Sequence, residues 1–191
     1  MDKYNIQFYS AVKKIVNVPM KFVFDISVDG LDNIPKDNYV LIGNHKSLLD
    51  VALLVTSIPD SIHFMAKKEI FENKLLNYFF TRMGAFPVDR EKPEMSSIRT
   101  AMGLLKEGEV LGIFPEGTRN KTDEILLPFK RGASLIAAKS NKLVVPFGIS
   151  GEYKPFHKLN LNIGEPFDLS KIDREEQTYF MEEKVKKLIR R

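Results

Sequence analysis

Cysteine is absent from this chain of 191 residues. That excludes a disulfide, a thiolate metal site and a cysteine nucleophile, and it suits a reducing compartment. Long apolar runs are also missing. The longest near-apolar stretch, Val51 to Ile58, falls far short of the about 20 residues that span a bilayer, so no transmembrane helix is expected. The N-terminus lacks the apolar stretch and small-residue cleavage site of a secretory signal, which places the expected start near Met1 and the chain on the cytoplasmic side. Charge of one sign is scarce: 29 Lys and Arg against 25 Asp and Glu leave a formal +4. No nucleic-acid partner is expected from so small an excess, whereas an anionic membrane or a phosphorylated substrate suits it. Internal repeats, low-complexity tracts and Gly/Ser linkers are lacking too, so one domain is expected.

What is present alternates short β-rich runs with helical periodicity, the pattern of an α/β fold. Strands are expected around Phe24 to Val28, Tyr39 to Ile42, Ile62 to Met65, Ala85 to Val88, Val110 to Phe114, Leu143 to Ile149 and Leu159 to Ile163. The resulting architecture is a single domain with a largely buried mixed sheet of about seven strands flanked by helices. Leu75, Leu76, Phe79, Phe80 and Met83 form one helix face ending at Gly84, and Ile98, Ala101, Met102 and Leu105 form another ending at Gly108; both read as core stripes. A charged surface helix with Phe180, Val185 and Leu188 closes the chain. At the N-terminus, Tyr4, Phe8, Val12, Ile15 and Val18 recur at helical spacing, which predicts an amphipathic helix over residues 1–20 ahead of a domain over 21–191. With Lys13, Lys14 and Lys21 nearby, that helix suits a lipid interface and equally suits docking on its own domain.

The first chemical candidate is Asn44-His45-Lys46-Ser47-Leu48-Leu49-Asp50, between a buried strand and an apolar helix beginning near Leu48. Ligands of open α/β sheets bind beyond the carboxyl ends of strands, so His45 has a favourable address. A five-residue step would turn the two side chains about 140° apart on a regular helix. They meet only if His45 lies in the loop and Asp50 in the first helical turn. Asp50 would then hold one ring nitrogen and leave the other as a base. An isolated H-x4-D is more often structural, with the histidine capping a turn and the aspartate supporting a helix terminus. Other catalytic readings are poorer. His63 and His157 show no metal-ligand spacing, and Gly132-Ala133-Ser134-Leu135-Ile136 lacks the second glycine of a nucleophile elbow.

Phe114-Pro115-Glu116-Gly117-Thr118-Arg119 follows the next buried strand. Proline and glycine shape the turn, Glu116 offers an acceptor to a polyol hydroxyl, and Arg119 offers a planar fork to phosphate oxygens. Arg90, after Gly84 to Asp89, is a second candidate clamp or the partner of Asp89, and Lys67 adds a cation after its own strand. Four strand ends carrying His45, Lys67, Arg90 and Arg119 point to an anionic-substrate site.

In this order the motifs from Asn44 to Gly151 resemble the PlsC-like 1-acyl-sn-glycerol-3-phosphate acyltransferase family: N-H-x4-D at Asn44, His45 and Asp50; the glycine-to-arginine block at Gly84 through Arg90; F-P-E-G-T-R at Phe114 to Arg119; and a V-P block at Val145 to Gly151. The resemblance implies transfer of a fatty acyl group from a thioester of coenzyme A or acyl carrier protein to the 2-hydroxyl of lysophosphatidic acid. His45 would be the base and Asp50 its orienter. Arg90, Glu116, Gly117, Thr118 and Arg119 would bind the glycerol phosphate, with Lys67 as an addition. It implies no metal and no bound organic cofactor, and a peripheral or monotopic position on the cytoplasmic face of the cell membrane. The V-P block and Ile125, Leu126, Leu127 and Phe129 are candidates for lining the acyl cleft; the latter four suit core packing as well. A relative acting on glycerol 3-phosphate or another lysolipid, and an inactive lipid-binding module, are the competing readings.

Overall fold

The β-rich runs assemble into one seven-stranded sheet of order β1-β7-β6-β2-β5-β3-β4. The structure is a computed structural model and describes residues 4–89 and 95–189. The strands are β1 (Asp25–Asp29), β2 (Val40–Gly43), β3 (Ile62–Lys67), β4 (Phe86–Val88), β5 (Val110–Ile113), β6 (Val144–Gly151) and β7 (Lys158–Ile163). Pairing is parallel from β6 through β2, β5 and β3 to β4, while β7 runs antiparallel to β6. The sheet is therefore mixed, and each expected strand is present within a residue or two of its predicted ends.

Helices cover both faces, as a parallel sheet requires. Alternation along β2 divides the core in two. Tyr39 and Leu41 join Leu53, Leu54 and Ile58 under α1 (Ile6–Val23) and α2 (Leu49–Ser57), while Val40 and Ile42 join the layer of α4 (Met95–Lys106), α5 (Arg131–Ser140) and α6 (Gln177–Ile189). Each fully buried leucine or isoleucine contributes about 1.5–3 kcal/mol. Close packing is enforced at Gly43, where a Cβ would come within 2.3 Å of the Phe147 ring.

One helix is an addition and two expectations need correction. The run Arg131–Ser140 is a helix that the apolar pattern does not announce, because its inward residues are Ala133, Ser134, Ile136 and Ala137, which give little hydrophobic contrast. Helix α3 (Lys74–Arg82) is no core stripe: Leu75 is 81 % exposed, and Leu76, Tyr78 and Phe79 are exposed as well. The N-terminal stripe is split. Helix α1 runs on through Pro19 to Val23 and docks by Tyr9 and Met20, leaving Ile15, Val18 and Phe22 each about 70 % exposed or more. Lys13, read among the interface cations, donates instead to the carbonyls of Ile58 (2.5 Å) and Pro59 (3.0 Å) at the end of α2. A cation there satisfies carbonyls without helical partners and favours the negative end of the helix.

Candidate active site

Strands β2 and β5 are neighbours, so the loops leaving their carboxyl ends meet. The loop after β2 carries His45, and the loop after β5 carries Glu116. Asn120 N–H donates to the His45 carbonyl at 2.7 Å, tying the two together. Asn44 fastens the first loop to β6 by a two-way pair with the Ile149 backbone: its side-chain carbonyl accepts at 2.7 Å and its amide donates at 2.9 Å.

His45 and Asp50 meet as the loop-plus-first-turn arrangement predicts. Asp50 Oδ2 accepts from His45 Nδ1 at 2.8 Å, and also from the Lys46 and Ser47 N–H groups at 2.7 and 2.8 Å. Asp50 thus ties down the loop that leads into its own helix, in whose first turn the N-terminal dipole favours a carboxylate, and serves as the histidine's partner at once. Both residues are buried, Asp50 completely. A carboxylate at Nδ1 fixes the proton there and leaves Nε2 unprotonated, the state in which imidazole accepts a proton. The ring stacks on Phe114, centroids 4.0 Å apart and planes 17° from parallel, so its tilt is set from two sides.

His45 opens onto an apolar groove of about 300 Å³, floored by Phe64 and Phe114 and walled by Val12 and Val16 of α1, Val51 and Val55 of α2, and Phe79 and Phe80 of α3. Lys67 lines the same groove at its exposed rim, paired with Glu69 at 3.1 Å. The exposure of α3 now has a physical account: the helix roofs a cavity on one side and faces outward on the other. The residues suggested for the cleft lie elsewhere. Phe129 is packed in the α4–α6 layer, and Val145, Phe147 and Ile149 are buried in the strand β6.

Glu116, on the loop after β5, is buried beside His45. Its carboxylate is 2 % exposed, with Oε1 accepting from the His45 N–H at 2.6 Å and Oε2 from the Leu127 N–H at 2.8 Å. Burial raises its pKa above the ordinary 4.5, the two N–H donors lower it, and the charge of Asp50 raises it further. It therefore braces two loops, with both oxygens engaged by backbone N–H groups. Gly117 turns at φ +69 beneath the stem of Lys130, a left-handed conformation that favours glycine. Thr118 and Arg119 follow it and are exposed. Arg90 lies outside the described residues; Asp89, its suggested partner, pairs with Lys68 at 2.6 Å. The N–H groups of His45, Lys46 and Ser47 are all spent on carboxylates, which removes them as donors to an oxyanion. Tyr153 went unnoticed in the sequence. Its hydroxyl donates to Asp50 Oδ1 at 2.5 Å across 103 residues of chain, and no local pattern signals such a contact.

The chain as a whole is similar to known proteins. The sequence model of the acyltransferase family matches residues 25–150, which contain the site except Tyr153 and the α1 wall of the groove. The 1-acyl-sn-glycerol-3-phosphate acyltransferase of Bacillus subtilis is 44 % identical over 148 residues, covering 74 % of this chain and 73 % of that protein. The enzyme of that name from Streptococcus pneumoniae is 33 % identical over 150 residues, and the match spans 74 % of this chain but only 55 % of the relative. Among solved structures, the 1-acyl-sn-glycerophosphate acyltransferase PlsC from Thermotoga maritima superposes with a TM-score of 0.77 at 28 % identity, over 94 % of this chain and 78 % of its own. The chain therefore belongs to the acyltransferase family and, within it, to the PlsC-like 1-acyl-sn-glycerol-3-phosphate acyltransferases.

Proposed function

We propose that the protein transfers a fatty acyl group from a thioester of coenzyme A or acyl carrier protein to the 2-hydroxyl of lysophosphatidic acid, giving phosphatidic acid. The observation that carries this reading is the His45–Asp50 pair, 2.8 Å apart, at the head of the apolar groove. His45 Nε2 takes the hydroxyl proton, the oxygen attacks the thioester carbonyl, and the tetrahedral intermediate expels the thiolate, which recovers the proton from the imidazolium. Asp50 holds the imidazole in the right tautomer throughout. Arg119, with Lys67 and Arg90, supplies cations for the phosphate, and Gly117 and Thr118 supply the exposed turn on which it rests. Glu116 keeps that turn and the His45 backbone in register.

The reaction takes place at a membrane surface. No helix among the described residues is long and apolar enough to cross a bilayer. Ile15, Val18 and Phe22 of α1 and Leu75 and Leu76 of α3 are nonetheless exposed, and both helices wall the groove. Apolar side chains beside a lipid-binding groove, with Lys14 and Lys21 among them, suit peripheral insertion of the α1 and α3 surface into the cytoplasmic leaflet of the cell membrane. The test is acyl transfer by purified protein on lipid vesicles, with lysophosphatidic acid or glycerol 3-phosphate offered against each thioester. Phosphatidic acid from the lysolipid supports the reading, whereas product from glycerol 3-phosphate alone replaces it with the other acceptor.

A further inference from the structure

The four hydrogen bonds reaching Asp50 are unevenly divided. Oδ2 takes the His45 ring and two backbone N–H groups, whereas Oδ1 takes only the Tyr153 hydroxyl among the described residues. A fully buried carboxylate oxygen without a donor is costly, and with Oδ1 released the carboxylate is free to rotate its second oxygen toward the same three donors. The Nδ1 bond would be disturbed first, because its donor is a side chain and the others are fixed backbone.

Tyr153 is itself held from two directions. Its ring packs edge-on against Phe24, centroids 5.7 Å apart and planes at 87°, at the end of α1. The loop that carries it is pinned to the α1–β1 junction by Phe156 N–H donating to the Val23 carbonyl at 2.7 Å and Asp25 N–H donating to the His157 carbonyl at 3.2 Å. Burial, and then the neighbouring charge of Asp50, push the phenol above its ordinary value, so the hydroxyl keeps its proton and donates.

We propose that Tyr153 is a positioning residue for the catalytic pair: by holding Asp50 Oδ1 it fixes the carboxylate's rotation and, through it, the orientation and basicity of His45. The proposal rests on the reading of His45 as the base. The other charged and titratable groups around the pair, among the described residues, are Glu116, on the loop after β5, Lys46, whose Nζ donates to the Gly151 carbonyl at 3.5 Å, and Lys67, which lines the same groove as His45; a change at position 153 substitutes none of them.

The experiment is Tyr153→Phe, which keeps the ring against Phe24 and subtracts one hydroxyl. In the vesicle assay kcat falls about 10- to 100-fold, as expected for a lost hydrogen bond to a buried charge, while KM for the acceptor stays within about twofold. The acidic limb of the pH–rate profile moves to lower pH, because a carboxylate whose bond to Nδ1 is disturbed stabilises the imidazolium less. In an Asp50→Asn background the same substitution changes kcat no further. Proton NMR gives a readout independent of turnover: the low-field His45 Nδ1–H resonance, assigned by its loss in His45→Ala, shifts in Tyr153→Phe and stays in place in Tyr179→Phe, the same change at an exposed position of α6. An unmoved pH limb and resonance in Tyr153→Phe, with or without a lowered melting temperature, would overturn the proposal. So would a loss additive with Asp50→Asn. Wild-type protein that transfers no acyl group would instead sink the base assignment, while the resonance would still report the Tyr153–Asp50–His45 geometry.

Discussion

Replacing Glu116 by alanine separates two accounts of the most prominent loop in the molecule. If the carboxylate contacted substrate, its removal would raise KM and leave the fold alone. The geometry predicts the reverse. Both oxygens are engaged with backbone N–H groups, of His45 at 2.6 Å and Leu127 at 2.8 Å, and the residue is 2 % exposed. Orphaning two buried donors at about 1–3 kcal/mol each costs about 2–6 kcal/mol, less what is regained by no longer burying a charge. That is a large part of the about 5–15 kcal/mol that holds a domain folded. Chemical denaturation at neutral pH reads the loss as a lower midpoint with unchanged slope, and kcat falls because the His45 backbone is no longer tethered. The pH dependence has a definite sign. Burial raises the folded-state pKa of Glu116 above 4.5, so the folded protein keeps a proton that the unfolded chain releases, and stability declines as pH climbs from about 4.5 through the raised value. Alanine lacks this contribution, so the gap between wild type and variant narrows on going from pH 4.5 to neutrality. A variant with the wild-type midpoint and a raised KM would refute the reasoning and return Glu116 to the substrate.

Arg119→Ala, at an exposed position, is expected to raise KM for the phosphorylated acceptor more than it lowers kcat, with little change in melting temperature; steady-state kinetics check the split. Ala52→Phe fills the groove where α2 lines it and should shift preference toward shorter acyl donors, read from product chain lengths in a mixed-donor assay. Leu75→Asp with Leu76→Asp replaces two exposed leucines of α3 and should weaken vesicle binding in a flotation assay without unfolding the protein, because neither side chain supports the core.

The sheet was legible because its strands are short runs set between turn residues, either rich in β-branched and aromatic residues, as at Tyr39 to Ile42, or alternating apolar and polar, as at Leu159 to Ile163. The His45–Asp50 contact was legible as well, since a strand-to-helix junction is the geometry that lets side chains five residues apart converge. What escaped depends on contacts remote in sequence. Nothing local distinguishes Glu116 as a brace from Glu116 as a ligand, because the N–H groups that claim it come from Leu127, further along the same connection, and from His45, on the loop after β2. Tyr153 reaches Asp50 from the β6–β7 connection, and apolar periodicity cannot report a hydroxyl's destination. Helix α3 shows the converse failure: an apolar stripe marks a surface that avoids water, and the stripe alone does not say whether a core, a groove or a membrane covers it.

The most direct test of the central claim is the rate constant of acyl transfer to lysophosphatidic acid on vesicles, measured for wild type and for His45→Ala of equal melting temperature. The account predicts a fall of at least about 10²- to 10⁴-fold on removing the general base, with acceptor binding retained. Transfer by the folded variant at the wild-type rate would contradict the assignment of His45 as base and with it the mechanism proposed for this fold.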